Sequence, residues 1–247
     1  MQSFWLALQF LTRFPVPQPI DYSARAMGRS VLSYPIVGLV LGLLLVSIQM
    51  LLVHIHPNVL AALLLILWVM VTGGLHLDGL ADSADAWMGG QGDRERTLQI
   101  MKDPRAGAGA IIWVTLVLVV KFASLSATMG SETVWAALVL SPVLSRSAVI
   151  AILLTTPYIR VGGIGAPLAQ NLPRSQAMVT LAIVGVAIIL IAGWQGVSAL
   201  VVVCVAGVSY RFFIMRRLGG VTGDTIGALI EILEAAVLID CAIFYNA

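Results

Sequence analysis

Charged side chains are scarce in this chain, and their scarcity indicates its broad class. Only 11% of the 247 residues are charged, whereas 60% are hydrophobic. Soluble domains carry about 25% charged residues. The composition therefore excludes an ordinary soluble protein and predicts a polytopic membrane protein.

Cysteine is nearly absent as well. The two cysteines, Cys204 and Cys241, both lie in apolar segments. Two thiols in such surroundings build neither a disulfide framework nor a thiolate metal site.

The amino-terminal segment lacks the pattern of a cleavable signal peptide, because FWLALQFLTRFPVP is short, contains a basic residue and ends in prolines. It favours instead an amphipathic helix that lies along the membrane interface. We expect Phe4, Trp5, Leu8 and Leu11 to face the lipid.

Long apolar runs predict the membrane helices, since a crossing needs about 20 apolar residues. Single runs cover residues 30–53, 57–77, 106–128, 133–158 and 226–244. The run at 176–210 is too long for one crossing, and Gly193 and Gly196 interrupt it as a turn would. We expect an all-α polytopic bundle of about seven (six to seven) transmembrane helices, forming one integral domain over residues 1–247.

Lysine and arginine are missing from alternate loops. Every basic residue except Lys121 and Arg146 falls on one side of the predicted membrane, and those two lie inside spans. The positive-inside rule makes the basic side cytoplasmic. The long loops are therefore predicted to face the cytoplasm.

Three aspartates follow the second apolar run, in GGLHLDGLADSADAW. Asp78, Asp82 and Asp85 are spaced i, i+4 and i+7, which places them on one face of a helix. Adjacent carboxylates repel each other unless a cation lies among them, and Mg²⁺ prefers oxygen ligands. We predict that these three aspartates are metal ligands and catalytic groups that act on a phosphorylated substrate. Gly79 would let the head group of that substrate approach the helix closely. A solvated helix end is the alternative interpretation.

A second acidic pair lies near the carboxyl end, in GGVTGDTIGALIEILEA. Asp224 and Glu231 are seven residues apart, and Glu231 lies within an apolar run, where an ionised carboxylate needs a cation. We predict both as further metal ligands. Arg146 is the obvious alternative partner of Glu231, with a role in substrate binding or in a structural ion pair. Lys121 is a second partner, unless it snorkels outwards.

The loop RERTLQIMKDPRAGAGA resembles an anion pocket. Basic side chains and free amides at a helix start bind phosphate together. We therefore predict substrate contacts by Lys102, Asp103 and Arg105, although charges beside a span also serve topology.

His76 precedes Asp78 by two residues, so a continuous helix turns its ring away from the carboxylates. We predict a positioning group that contacts substrate rather than a metal ligand, unless the helix breaks at Gly73 and Gly74.

Several motifs together resemble the cobalamin (adenosylcobalamin 5'-phosphate) synthase family, also called adenosylcobinamide-GDP ribazoletransferases. They are HLDGLAD with the following aspartate, IMKDPRAG, Ser145-Arg146 and GGVTGDTIGALIE. FLTRFPVP and YPIVGLVLG match as well, so the resemblance covers nearly the whole chain.

The resemblance implies a Mg²⁺-dependent enzyme of the bacterial inner membrane with its active site on the cytoplasmic face. Such an enzyme joins adenosylcobinamide-GDP to alpha-ribazole or alpha-ribazole 5'-phosphate and releases GMP. The expected partners are these substrates and the lipid bilayer. No nucleic acid is expected, and a homo-oligomer is left open.

Two other functions compete. A CDP-alcohol phosphatidyltransferase also carries DG-x-x-A on a membrane helix, but its motif continues with arginine, whereas Asp82 follows Ala81 here. A cation-coupled transporter would use Glu231, Arg146 and Lys121 as its ion path. The clustering of charge at one face and the lack of an internal repeat argue against transport.

Overall fold

The computed structural model describes residues 2–131, 133–160, 162–163 and 165–244. These residues form eleven α-helices and one short 3-10 turn, and none of them belongs to a β-strand. The helices are α1 Gln2–Leu11, α2 Ala24–Ser30, α3 Tyr34–Leu51, α4 Pro57–Thr72, α5 Leu75–Gly89, α6 Arg94–Ile100, α7 Ala108–Thr128, α8 Val134–Thr155, α9 Gly165–Gln170, α10 Arg174–Leu218 and α11 Gly223–Phe244.

The prediction of an all-α membrane helix bundle is confirmed. Four helical segments are each long and apolar enough to cross a membrane: Ala24–Leu51, Ala108–Thr128, Val134–Thr155 and Arg174–Leu218. The pair α4 and α5 qualifies as a fifth only when both are taken together. The chain is therefore a multi-pass membrane protein.

The expected number of seven spans differs from this count for two physical reasons. The segment α10 counts as one candidate span, but its 45 residues consist of two helices that meet at a break at Gly193, with φ 56° and ψ −131°. That break lies where the sequence predicted a turn. The helix α11 carries four acidic residues, so its composition alone does not identify it as a membrane span.

The second predicted span ends early, at Thr72. Gly73 and Gly74 both adopt positive φ, 65° and 70°, a conformation that suits glycine because it has no Cβ. The chain consequently turns by 87° between α4 and α5. This bend directs the aspartate-bearing helix away from the line of α4.

Helices α3 and α8 pack closely through two glycines four residues apart. A Cβ on Gly38 would lie 2.3 Å from the carbonyl oxygen of Pro142, and one on Gly42 would lie 2.8 Å from the Cα of Val139. Small residues at this spacing let membrane helices approach each other. The contact fixes one wall of the bundle.

The orientation predicted for the amino-terminal helix is wrong. Leu8 and Leu11 are 6% and 2% exposed, and α1 packs against α2 and α3. Phe4 and Trp5 are half-buried against the same core. The protein, rather than lipid, covers this apolar face, and the amide of Arg13 donates to the carbonyl of Val71 at 2.7 Å.

Candidate active site

The predicted aspartate stripe lies on α5 and approaches the start of α11. Asp78 is exposed, whereas Asp82 and Asp85 are half-buried. The negative charges of Asp78 and Asp224 both act on Asp82, and the positive charge of Arg160 opposes them. The structure thus brings Asp224 next to Asp78 and Asp82, although they are far apart in the sequence.

Two glycines allow this approach. A Cβ on Gly79 would lie 2.7 Å from the carbonyl oxygen of Asp224, and one on Gly227 would lie 3.3 Å from the Cα of Gly79. The sequence predicted that Gly79 admits a substrate. The backbone of α11 occupies the space where a Cβ of Gly79 would lie, and Gly79 also lines a cavity.

Arg160 supplies the positive charge of this region. Its Nη1 donates to Oδ2 of Asp224 at 2.8 Å. Asp224 precedes the apolar part of α11, and burial raises the pKa of its carboxyl while Arg160 lowers it. The side chain of Arg160 remains 37% exposed, so the guanidinium has donors to spare for an anion.

A short backbone pairing holds the Arg160 segment against the start of α11. The amide of Ile159 donates to the carbonyl of Val221, and the amide of Val221 donates to that of Pro157, both at 2.9 Å. Tyr158 lies within this pairing, and burial raises the pKa of its phenol.

A cavity of about 460 Å³ opens beside these groups. Its wall carries the charged side chains of Asp78, Asp224 and Arg160. Much of the remaining wall is apolar or glycine and comes from α1, α5, α8, α9, α11 and the loop before α9: Phe10, Leu11, Leu75, Gly79, Val149, Leu153, Gly162, Gly163, Gly165, Leu168, Gly223, Ile226, Gly227 and Ile230. The arrangement suits a ligand with one apolar part and one phosphate or hydroxyl-rich part.

Asp85 differs from its prediction as a metal ligand and catalytic group. Its Oδ2 accepts from the amide of Gly107 at 2.6 Å, and its Oδ1 accepts from the amide of Ala110 at 2.9 Å. These are orphan amides at the start of α7. The carboxylate therefore caps that helix.

The predicted anion pocket is filled by the same carboxylate. The helix amides that the sequence offered to phosphate already bind Asp85. Lys102 and Arg105 are exposed, and Arg105 pairs with Asp103 at 2.7 Å. That guanidinium lowers the pKa of the Asp103 carboxyl to about 2. None of the three residues lines the cavity.

Glu231 also differs from its prediction as a metal ligand. Its Oε2 accepts from Nζ of Lys121 at 2.9 Å, and Lys121 also donates to Glu234 at 2.5 Å. Glu234 in turn contacts the guanidinium of Arg146. Lys121 is only 1% exposed, so it does not snorkel, and Arg146 pairs with Glu234 rather than with Glu231.

His76 faces this buried ion cluster. The ring is 2% exposed, and its Nδ1 lies 3.5 Å from Nη2 of Arg146. The helix breaks before His76, so α5 is continuous between His76 and Asp78, and the ring contacts the cluster. His76 also lines the cavity, which agrees with a positioning group.

Within the described ranges, no three histidine, cysteine, aspartate or glutamate side chains lie close enough to hold a metal ion. The five predicted ligands thus do not form one set. Asp85 and Glu231 have other partners. Asp78, Asp82 and Asp224 influence one another electrostatically, and Asp224 also pairs with Arg160.

Residues 3–242 match the cobalamin-5-phosphate synthase family. The chain belongs to this family. The resemblance seen in the motifs is therefore confirmed, and with it the prediction that the chain is an enzyme, a transferase.

Relatives within the cobalamin-5-phosphate synthase family align with nearly the full length of this chain. A protein of Pseudomonas savastanoi pv. phaseolicola named adenosylcobinamide-GDP ribazoletransferase is 51% identical over 98% of this chain and 100% of its own. A protein of Stutzerimonas stutzeri with the same name is 50% identical over 96% of each chain. No solved structure matches.

Sequence reasoning missed the contacts of two charged residues, Glu234 in the buried ion cluster and Arg160 at the cavity. Glu234 was left without a role, although it follows Glu231 by one helical turn in an apolar segment. Arg160 was interpreted only as one of the basic residues that determine the orientation in the membrane. The available signals were the position of Arg160 before VGGIG and the presence of Asp224, for which the sequence had suggested no basic partner.

Proposed function

We propose that this chain transfers the adenosylcobinamide phosphate group from adenosylcobinamide-GDP to alpha-ribazole or alpha-ribazole 5'-phosphate and releases GMP. Membership of the cobalamin-5-phosphate synthase family supports the transfer, and the names of the relatives supply the substrates. The observation that carries the proposal is the cavity with Asp78, Asp224 and Arg160 on its wall.

The reaction makes and breaks one bond at the same phosphorus. A ribose hydroxyl attacks the phosphorus that the corrinoid arm carries, the new P–O bond forms, and the bond to the GMP oxygen breaks. Such transfers depend on positioning and charge stabilisation more than on covalent catalysis. A carboxylate of Asp78 or Asp82 accepts the hydroxyl proton, and GMP leaves with the electron pair.

Arg160 is suited to the diphosphate. A guanidinium forms charge-assisted hydrogen bonds with phosphate oxygens, and this one is partly exposed at the cavity wall. Its bond to Asp224 orients the group towards the aspartates.

Mg²⁺ fits the donor chemistry of this region. Protein sites commonly offer Mg²⁺ one or two carboxylates, and substrate phosphates and waters complete the octahedron. Asp82 with Asp78 or Asp224 would hold the ion in this way, so a set of three protein ligands is not required. The bound ion would neutralise charge on the diphosphate.

We place the enzyme in the bacterial inner membrane with the cavity on the cytoplasmic side. The bias of lysine and arginine towards one side supports this orientation. Arg94 donates to the carbonyl of Leu218 at 2.7 Å, and Arg217 donates to that of Trp87 at 2.8 Å. Arg94 thus joins α6 to the end of α10, and Arg217 joins that end to the aspartate-bearing helix α5.

The deciding experiment measures GMP release by the purified protein in detergent. We expect GMP only when adenosylcobinamide-GDP, alpha-ribazole and Mg²⁺ are all present, and EDTA should abolish it. Absence of GMP from a folded preparation would overturn the proposal. Movement of an ion across proteoliposomes without product would support the transporter instead.

A further inference from the structure

Two buried polar atoms on the cavity wall have no hydrogen-bond partner within the described part of the chain. They are the phenolic oxygen of Tyr34 and Nε2 of His76, and both residues are 2% exposed and line the cavity. A buried polar group without a partner costs about 1–3 kcal/mol. Such atoms are satisfied when a ligand supplies the missing group.

The neighbour of His76 fixes what its free nitrogen offers. A guanidinium has donors only, so Nη2 of Arg146, 3.5 Å from Nδ1, makes Nδ1 the acceptor. In the neutral ring the proton then resides on Nε2. Nε2 of His76 is consequently a hydrogen-bond donor without a partner among the described residues, and the hydroxyl of Tyr34 is a second.

Two aromatic rings form the part of the cavity wall near Tyr34. The rings of Phe10 and Tyr34 are stacked, with centroids 6.5 Å apart and planes 19° from parallel. Both rings line the cavity. Leucine, isoleucine and valine side chains of α5, α8 and α11 form other parts of the wall. A planar, uncharged heteroaromatic ring fits these surroundings.

The size of the cavity separates the two proposed substrates. Pockets of roughly 300–1,000 Å³ hold drug-sized ligands, and this one has about 460 Å³. A nucleoside such as alpha-ribazole falls in that range. A corrin ring with its side chains and nucleotide is several times larger and cannot enter.

We propose that the cavity is the binding site of the nucleoside acceptor, and that the corrinoid stays outside its mouth. The benzimidazole base lies beside Phe10 and Tyr34, and its unsubstituted ring nitrogen accepts a hydrogen bond from the hydroxyl of Tyr34. The ribose hydroxyls then lie towards Asp78 and Asp224. This inference rests on the proposed function, and it assigns alpha-ribazole, one of the two substrates, to the cavity.

The first test measures the binding of alpha-ribazole alone to the full-length protein in detergent, without corrinoid or Mg²⁺. Tyr34→Phe keeps the ring and removes only the hydroxyl. Loss of one hydrogen bond should weaken binding about three- to tenfold. Tyr22→Phe is the matched control, because Tyr22 is an exposed tyrosine outside the cavity, and its binding should equal that of the wild type.

The second test fills the cavity. Leu153 is 6% exposed and lines it, so Leu153→Trp should abolish alpha-ribazole binding while binding of adenosylcobinamide-GDP persists. Unchanged alpha-ribazole affinity in Tyr34→Phe, or loss of adenosylcobinamide-GDP rather than alpha-ribazole binding in Leu153→Trp, would overturn the assignment. GMP release by the wild type in that case would leave the proposed function standing. Wild-type protein that binds alpha-ribazole but never releases GMP would count against the function alone.

Discussion

Lys121 of α7 and Glu234 of α11 form a buried ion pair, with 2.5 Å between Nζ and Oε2. Glu231 and Arg146 complete a cluster of two cations and two anions, each at most 4% exposed. The opposite charges balance, as a membrane interior requires of ionised groups. Lys121 also lies 4.6 Å from the ring centroid of Trp68, so the cluster ties α4, α7, α8 and α11 together.

Replacing Lys121 should destabilise the protein strongly. Lys121→Met removes the cation that two buried glutamates share, and an uncompensated buried charge costs about 3–5 kcal/mol. Unfolding in a mixed-detergent titration would measure the loss. The matched control is Lys102→Met, because Lys102 is exposed, and a Lys121 variant as stable as this control would contradict the ion-cluster account.

The two glutamates should differ in their effect. Glu234 contacts both Lys121 and Arg146, whereas Glu231 bonds only to Lys121 in the cluster. Glu234→Gln should therefore lower the free energy of unfolding more than Glu231→Gln, by about 1 kcal/mol or more. The same titration ranks the two variants. The reverse order would mean that Glu231 has a further partner.

The sequence predicted the helical class, most helix positions and the aspartate stripe, because apolar runs and i, i+4, i+7 spacing depend on local geometry. It could not predict which carboxylate meets which cation. Glu231 and Lys121 are 110 residues apart. From the sequence, Arg146 was an equally good partner for Glu231. Only the packing of α7, α8 and α11 decides between them.

The same limit explains the error at α1. Its apolar face was assigned to lipid, because hydrophobicity does not distinguish lipid from the interior of a protein. In the fold, Leu11 contributes to the cavity wall. Tertiary packing alone determines which apolar surface covers a helix.

Asp85→Asn should loosen the start of α7. The amide side chain keeps one acceptor oxygen and loses the second, together with the negative charge that favours a helix start. We expect a loss of about 1–2 kcal/mol, visible as faster hydrogen exchange at the amides of Gly107 and Ala110. Asp103→Asn, in an exposed pair, should leave these amides protected. Unchanged exchange in Asp85→Asn would show that the cap is dispensable.

Asp82→Asn should abolish GMP release without impairing membrane insertion. The substitution keeps the size of the side chain and removes the charge proposed to act on the metal or the hydroxyl proton. Expression level and GMP release would be measured in parallel. Asp21→Asn, at an exposed site on the amino-terminal segment, serves as the control, and near-normal turnover of the Asp82 variant would remove Asp82 from the site.

Arg160→Gln should shift the acid side of the activity profile to higher pH. Arg160 lowers the pKa of Asp224, so its removal raises that pKa and Asp224 becomes protonated at a higher pH. If ionised Asp224 is required, activity falls earlier on acidification. GMP release measured across a pH series tests this, with the exposed Arg25→Gln as control. Identical pH profiles for Arg160→Gln and the wild type would show that ionised Asp224 is not required for the reaction.

The balanced cluster also imposes an order on biogenesis. Lys121 and Arg146 are synthesised well before Glu231 and Glu234, so α7 and α8 enter the bilayer with two cations that have no counterions yet. The glutamates of α11 neutralise these two cations when α11 inserts. The cations in turn make it more favourable for α11, with its four acidic residues, to leave water. The cations of α7 and α8 and the acids of α11 thus each lower the cost of inserting the other. If synthesis stops before α11, the bundle retains unpaired positive charge in its core.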